Sequence, residues 1–229
     1  QKTLDEERDE FISVVSHELR TPVAILEGSL SNLRLLIQKK APSKLLETTA
    51  ETAYKQNTFL ATMVNDLSAL SKVERGINHQ TEIIHPQELA ESLFNKYHKS
   101  AAEKGLSLNL NLGNKLNSVK TSKLYLEELL QNFITNSLKY TREGSVEICF
   151  RNSPKGVIFE IKDTGIGISS SDQKRIFEKF YRSEDWRTRE TGGTGLGLYV
   201  SSKLAAKIGT KIQVESKLNH GSRFFFELP

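Results

Sequence analysis

In the first third of the chain, apolar residues recur at three- and four-residue intervals. Ile12, Val15, Leu19, Val23, Leu26, Leu30 and Leu33 fall on one side of a helix read over residues 1–39. A second stripe, Leu46, Ala50, Ala53, Leu60, Val64 and Leu67, marks another helix running to about Glu74. Between them, Lys39-Lys40-Ala41-Pro42-Ser43 reads as a turn, because cations suit a helix C-terminus and proline suits the start of the next helix. The two helices form an antiparallel hairpin. Pro22 removes a backbone donor inside the first helix and predicts a kink there. Gly76 reads as the C-terminal stop and residues 77–81 as a linker.

From Glu82 onward the pattern mixes periods. Residues 82–84 read as a short strand, 86–104 as a helix closed by Gly105, and 106–112 alternate as a half-buried strand. Residues 122–141 are a strong helix, and 145–152 with 156–162 a hairpin. Residues 163–168 form a glycine-rich turn. Ser170 and Gln173 read as a capping box opening a short helix through Phe180. Residues 182–193 are charged and unpatterned, a mobile loop. Residues 195–208 return to helix, and 211–216 with 222–228 close the chain as a hairpin. The pattern predicts two domains: an all-α hairpin at 1–76, then at 82–229 an α+β sandwich with helices on one face of a mostly antiparallel sheet.

Composition narrows the class without choosing a function. The 229 residues are 37% hydrophobic and 26% charged, as in globular proteins, and suffice for one large or two ordinary domains. The net charge of +4 is spread among 28 acids, so it does not argue for a nucleic-acid partner. One cysteine, Cys149, cannot form an internal disulfide and suits a reducing compartment. No apolar run reaches the length of a membrane span, and no signal peptide is seen. The start at Gln1 reads as a fragment of something longer.

Five places carry candidate chemistry. His17 lies two residues from both Val15 and Leu19, so it points about 200° away from the apolar stripe, into water. Glu18 is beside it and Thr21 one turn on. A zinc-protease helix needs His-Glu-x-x-His, and position 21 is threonine. By itself this is a solvated histidine on a charged face. Asn132 and Asn136, with Lys139 and Tyr140 about a turn later, can offer amide oxygens to a magnesium ion and NH₂ groups to phosphate, or can form a buried amide network. In Asp163-Thr-Gly-Ile-Gly-Ile, Gly165 and Gly167 allow close approach of a flat ligand and Asp163 can accept from an exocyclic amine; a plain tight turn is the other reading. Gly192-Gly-Thr-Gly-Leu-Gly-Leu opens a helix where N–H groups can hold phosphate, or is a hinge. In Ile176-Phe-Glu-Lys-Phe-Tyr-Arg, Phe177 and Phe180 suit a core, while Arg182 can reach a terminal phosphate. No Gly-x-x-x-x-Gly-Lys-Ser/Thr is present, and no βαβ unit surrounds the first glycine pair.

The order of the His17 motif, asparagine motif, DTGIG, phenylalanine motif and GTGLGL resembles the transmitter region of bacterial sensor histidine kinases over nearly the whole chain. The resemblance implies a hairpin that pairs into a homodimeric four-helix bundle and carries phosphotransfer, followed by a GHKL-type ATP-binding domain. It implies that His17 accepts the phosphoryl group, with Glu18 as base or orienting group and Thr21 serving hydrolysis of a phosphorylated regulator. Asn136 would hold Mg²⁺, and Asn132, Lys139 and Arg182 the phosphates of ATP. Tyr140 would stack near the adenine, whose amino group meets Asp163. Gly165, Gly167, Gly193, Gly195 and Gly197, with Thr194 and Leu196 between the last three, would shape the pocket and lid. The implied partner is the receiver domain of a response regulator, with neither nucleic acid nor membrane touching this fragment. The implied setting is the cytoplasmic portion of a membrane-anchored bacterial protein. The family often has Asp-x-x-x-Leu before the asparagine helix, where this chain has Thr121-Ser-Lys-Leu; either hydroxyl can cap that helix. A GHKL-type ATPase clamp would share the nucleotide motifs without needing His17, and a scaffold would leave the glycines unexplained.

Overall fold

A computed structural model of the chain describes residues 3–75, 80–185, 187–188 and 191–229. It divides into two compact units, residues 1–65 and 66–229. The Gly76 stop, and the linker apart from Gln80 and Thr81, lie outside the described residues.

In the first unit, α1 (Leu4–Gln38) begins at a capping box, where Thr3 accepts from the Glu6 N–H and Glu6 returns a bond to the Thr3 N–H. The helix runs through Pro22, which offers no N–H to the Glu18 carbonyl one turn back. Lys40, at φ 51°, turns the chain, and α2 (Ser43–Arg75) starts after Pro42, whose carbonyl accepts from the Leu45 N–H at 3.0 Å. Both apolar stripes are only partly covered. Ile12 is 53% exposed, Leu30 54% and Val64 58%, beside exposed Leu35, Ile37 and Leu45. The last turns of α2, from Asp66, belong by packing to the second unit, where Ala69, Leu70 and Val73 are buried.

The second unit is built on a five-stranded sheet of order β2 (Ser107–Leu112), β4 (Ser145–Ser153), β5 (Gly156–Asp163), β7 (Ser222–Leu228) and β6 (Gln213–Ser216). Only the β2–β4 pair is parallel. Helices α3 (Pro86–Glu103), α4 (Lys123–Tyr140) and α6 (Gly197–Lys207) supply the core that covers one face, and α5 (Ser170–Gln173) is a single turn. Alternation sets the buried rows: Phe150, Phe159 and Phe226 lie in register across three strands, as do Ile148, Ile161 and Phe224. Phe133 of α4 sits 5.3 Å from Phe224, ring to ring. Each such side chain contributes roughly 1.5–3 kcal/mol when fully buried. On the opposite face, Glu160 is held between Arg151 (2.8 Å) and Arg223 (3.0 Å).

The α+β reading therefore holds, with three local differences. A three-residue strand, β3 (Val119–Thr121), pairs antiparallel with β1 (Glu82–Ile84); it is too short to show a period. Ser169, not Ser170, caps α5 by accepting from Asp172, while Gln173 instead donates to the Ile168 and Ser216 carbonyls. The helix expected through Phe180 ends at Gln173, and Phe180 itself has φ 59°. The expected mobile loop after Arg182 also carries defined polar contacts. Asp172 accepts from Tyr181 and Ser183, and the Arg187 guanidinium pairs with Asp185 and donates to Asn219 at 2.7 Å. Counting apolar residues alone had left these polar ties out. No helix among the described residues is long and apolar enough to cross a membrane.

Candidate functional site

Chemistry gathers at two places, one in each unit. His17 projects from α1 with 74% of its side chain exposed, and its Nδ1 lies 3.3 Å from Glu18 Oε1. A carboxylate there favours the tautomer that carries the proton on Nδ1, which leaves the Nε2 lone pair for an electrophile. Thr21 is exposed one turn further on, as the helical period requires.

In the second unit, the site forms where α4, the end of β5 and the start of α6 converge. Asp163 continues the inward row Val157, Phe159, Ile161, so the sheet register itself aims its carboxylate toward the helices. Oδ1 accepts from the Gly165 N–H (2.9 Å) and the Ser222 N–H (3.1 Å), and Oδ2 accepts from the Ser137 hydroxyl (3.2 Å). Burial raises its pKa, and these three bonds pull the other way. Two acceptor sites per carboxylate oxygen leave Oδ2 one for an exocyclic amine. Beside it, the buried Thr141 hydroxyl has no hydrogen-bond partner among the described residues. A buried, unpaired hydroxyl next to a carboxylate with spare capacity is what an adenine-sized polar edge would satisfy.

The two glycines of this turn are also required by the chain's own packing. A Cβ on Gly165 would stand 2.5 Å from the Tyr140 carbonyl, and one on Gly167 would stand 2.0 Å from that of Lys217. The protein's own backbone occupies the space, so both are required by chain-to-chain packing.

On α4, the Asn136 NH₂ donates to Asn132 Oδ1 at 2.7 Å, which leaves the Asn136 amide oxygen for a hard cation. Among the described residues no group of three or more His, Cys, Asp or Glu could hold a metal. Lys139 Nζ lies 4.8 Å over the Tyr140 ring, and a Cβ on Gly193 would come within 2.5 Å of it. A Cβ on Gly197 would meet Asn132 Nδ2 at 2.8 Å. The glycine loop thus lies directly on the asparagine helix. Gly195, at φ 70°, rests instead on the backbone of Phe180, with 2.7–2.8 Å to a Cβ. Leu196 is buried at the start of α6 and Thr194 nearly so. Arg182 donates to the Thr188 carbonyl at 3.0 Å.

Comparison with known proteins assigns two domain families to the chain. Residues 7–76 match the model of the His Kinase A (phospho-acceptor) domain, and residues 121–229 that of the histidine kinase-, DNA gyrase B- and HSP90-like ATPases. The chain belongs to the sensor histidine kinases. It is 31% identical to the signal transduction histidine-protein kinase BarA of Escherichia coli (strain K12), over 96% of this chain and 24% of that protein. It is 30% identical to histidine protein kinase SaeS of Staphylococcus aureus (strain USA300), over 96% of this chain and 63% of that one. The crystal structure of full-length ShkA in complex with AMPPNP is similar at TM-score 0.68 and 28% identity, covering 96% of this chain and 45% of ShkA. This transmitter region therefore spans a quarter to under two thirds of these curated relatives.

Sequence reasoning missed Ser137, Thr141 and Asp66. Ser137 carries a signal, a hydroxyl in a row otherwise made of Phe133, Ile134 and Leu138. Asp66, which accepts from the Thr194 hydroxyl at 2.6 Å, lies 128 residues away in sequence, and no spacing betrays it.

Proposed function

We propose that this kinase uses ATP to phosphorylate His17 and passes the phosphoryl group to an aspartate on the receiver domain of a response regulator. The observation that carries the reading is the pairing of the exposed His17–Glu18 couple with a separate buried cluster whose unspent polar groups fit a nucleotide. In the second unit, Asp163 Oδ2 and Thr141 take the adenine edge and Tyr140 stacks near it. Asn132 and Lys139 take the phosphates, with Arg182 after it leaves the Thr188 carbonyl. Mg²⁺, held by the Asn136 amide oxygen, would neutralise phosphate charge. In phosphoryl transfer the protein's work is alignment and electrostatics rather than covalent chemistry. As the bond from His17 Nε2 to the γ-phosphorus forms, the bond to the ADP oxygen breaks and ADP leaves with its electron pair. The Nδ1 proton becomes acidic at that moment, and Glu18 steadies or accepts it. Thr21 positions water for the reverse task, hydrolysis of the phosphorylated regulator.

The hairpin works as a homodimer in this reading. Its exposed stripe residues, Ile12, Leu30 and Val64 among them, exceed what a lone hairpin keeps in water, and pairing two hairpins buries them in a four-helix bundle. The fragment acts on the cytoplasmic side of a longer, membrane-anchored bacterial protein. The test is γ-labelled ATP with Mg²⁺: label should appear on the chain, stable in base and lost in acid, and move to a receiver domain. Phosphate release without label on the chain would favour an ATPase clamp.

A further inference from the structure

The phosphate end of the site is not left to water. Asp66, on the last turns of α2 and within the second unit, takes the Thr194 hydroxyl at 2.6 Å, and that same oxygen accepts the Leu196 N–H at 3.1 Å. The carboxylate therefore reaches the start of α6 through one hydroxyl. Lys139 acts on Asp66 electrostatically, and the Lys139 ammonium itself packs against Gly193. Lys139, which the proposed function gives to phosphate, and Gly193 and Thr194 of the glycine loop beside it are thus tied to one carboxylate of the chain. The other charged groups in its field are Glu128, on α4 one turn before Asn132, and Lys72, whose charge acts on Glu128. Burial pushes the Asp66 carboxyl above the ordinary carboxylate range, while Thr194 and Lys139 pull it back. An anion held this way is desolvated and only partly compensated.

We propose that Asp66 is a built-in competitor for the terminal phosphates of a nucleoside triphosphate, holding Thr194 and the field of Lys139 until the nucleotide takes both. The proposal rests on the nucleotide reading of this site and extends it to regulation. The carboxylate keeps the glycine loop closed on α2 in the empty kinase and makes binding depend on terminal-phosphate charge. A triphosphate can displace it, whereas a diphosphate meets the same repulsion with less to offer Lys139.

The test is titration calorimetry on the full chain, with Mg²⁺ and either AMP-PNP or ADP, comparing wild type, Asp66→Asn, Asp66→Ala and Asn136→Asp. Asp66→Asn keeps the shape and an oxygen for Thr194, so it isolates the charge, and Asp66→Ala checks it should the amide be poorly accommodated. AMP-PNP affinity should rise roughly fivefold in both, within the usual span of coupling between two binding events, and ADP affinity by less. Unchanged or weaker AMP-PNP binding in the Asp66 variants, with binding lost in Asn136→Asp, overturns the competitor and leaves the nucleotide site standing. Wild-type binding in Asn136→Asp overturns the site reading and the competitor with it.

Discussion

The two reactive places solve opposite problems. His17 stands in water beside Glu18, whereas Asp163 is 6% exposed and bonded to Gly165, Ser222 and Ser137. In the proposed function the acceptor must meet both a nucleotide and a partner protein, so it has to be reachable, and a helix face supplies that with little surrounding structure. A nucleotide pocket has to be pre-organised, which takes a sheet register, a helix and two turns. The hairpin can therefore lose its function through a single side chain with its fold intact. The pocket is interlocked, and most changes there disturb structure and binding together.

The largest test of that contrast pairs two substitutions. His17→Gln should lower self-phosphorylation by at least about a thousandfold, as expected when the group that takes part in bond making is removed. Its nucleotide affinity in calorimetry should match wild type. Asn136→Asp should lose binding itself. A His17→Gln variant that binds nucleotide poorly would erase the separation.

Next in size is the wet stripe of the hairpin. Leu30→Asp places a charge where the single chain is already exposed, so it spares the second unit and attacks only the pairing of hairpins. Sedimentation equilibrium should show monomers, with phosphorylation lost and nucleotide binding retained. A dimer of undiminished strength would place the interface elsewhere.

Thr21→Ala sharpens the comparison within the exposed site. Alanine keeps helix propensity, so the fold should stand. Dephosphorylation of the regulator should fall about tenfold, a modest loss for one water-positioning group, while His17 still labels. A parallel fall in both activities would make Thr21 structural, through the turn that contains Pro22.

The smallest effect is on the sheet face opposite the helices, where Cys149 stands in register with Glu160. Burial, with the carboxylate of Glu147 beside it, pushes the Cys149 thiol up to about 12. An unfolded cysteine releases its proton near 8.5, so the thiol's contribution is complete below that pH and is lost as pH rises toward 12. Thermal melts from pH 8 to 10.5 should show wild type losing ground to Cys149→Ala by up to about 1.4 kcal/mol per pH unit. Parallel curves would mean that the thiol titrates as if exposed.

How much of this was legible varies with the range of the interaction. The stripes, the strands and the outward His17 follow from local period, and the structure keeps them. Asn136 facing Asn132 is a four-residue relation and was equally readable. The packing need for Gly165 and Gly167 comes from the Tyr140 and Lys217 carbonyls, which only the folded chain brings close. The Ser169 cap went to Ser170 because two adjacent hydroxyls compete and sequence does not rank them. The tie of Arg187 to Asn219 links two turns far apart in sequence, and no single stretch announces it.

Gly195 seated on the Phe180 backbone has a bearing on inheritance. A side chain at 195 can be admitted only if the chain at 180 moves, and Phe180 already holds a left-handed turn that few residues take readily. The two motifs therefore form one heritable part, although fourteen residues separate them. A glycine loop grafted from another kinase should fail unless its own phenylalanine segment travels with it, and suppressors of Gly195→Ala should arise around residue 180 before they arise anywhere on α4.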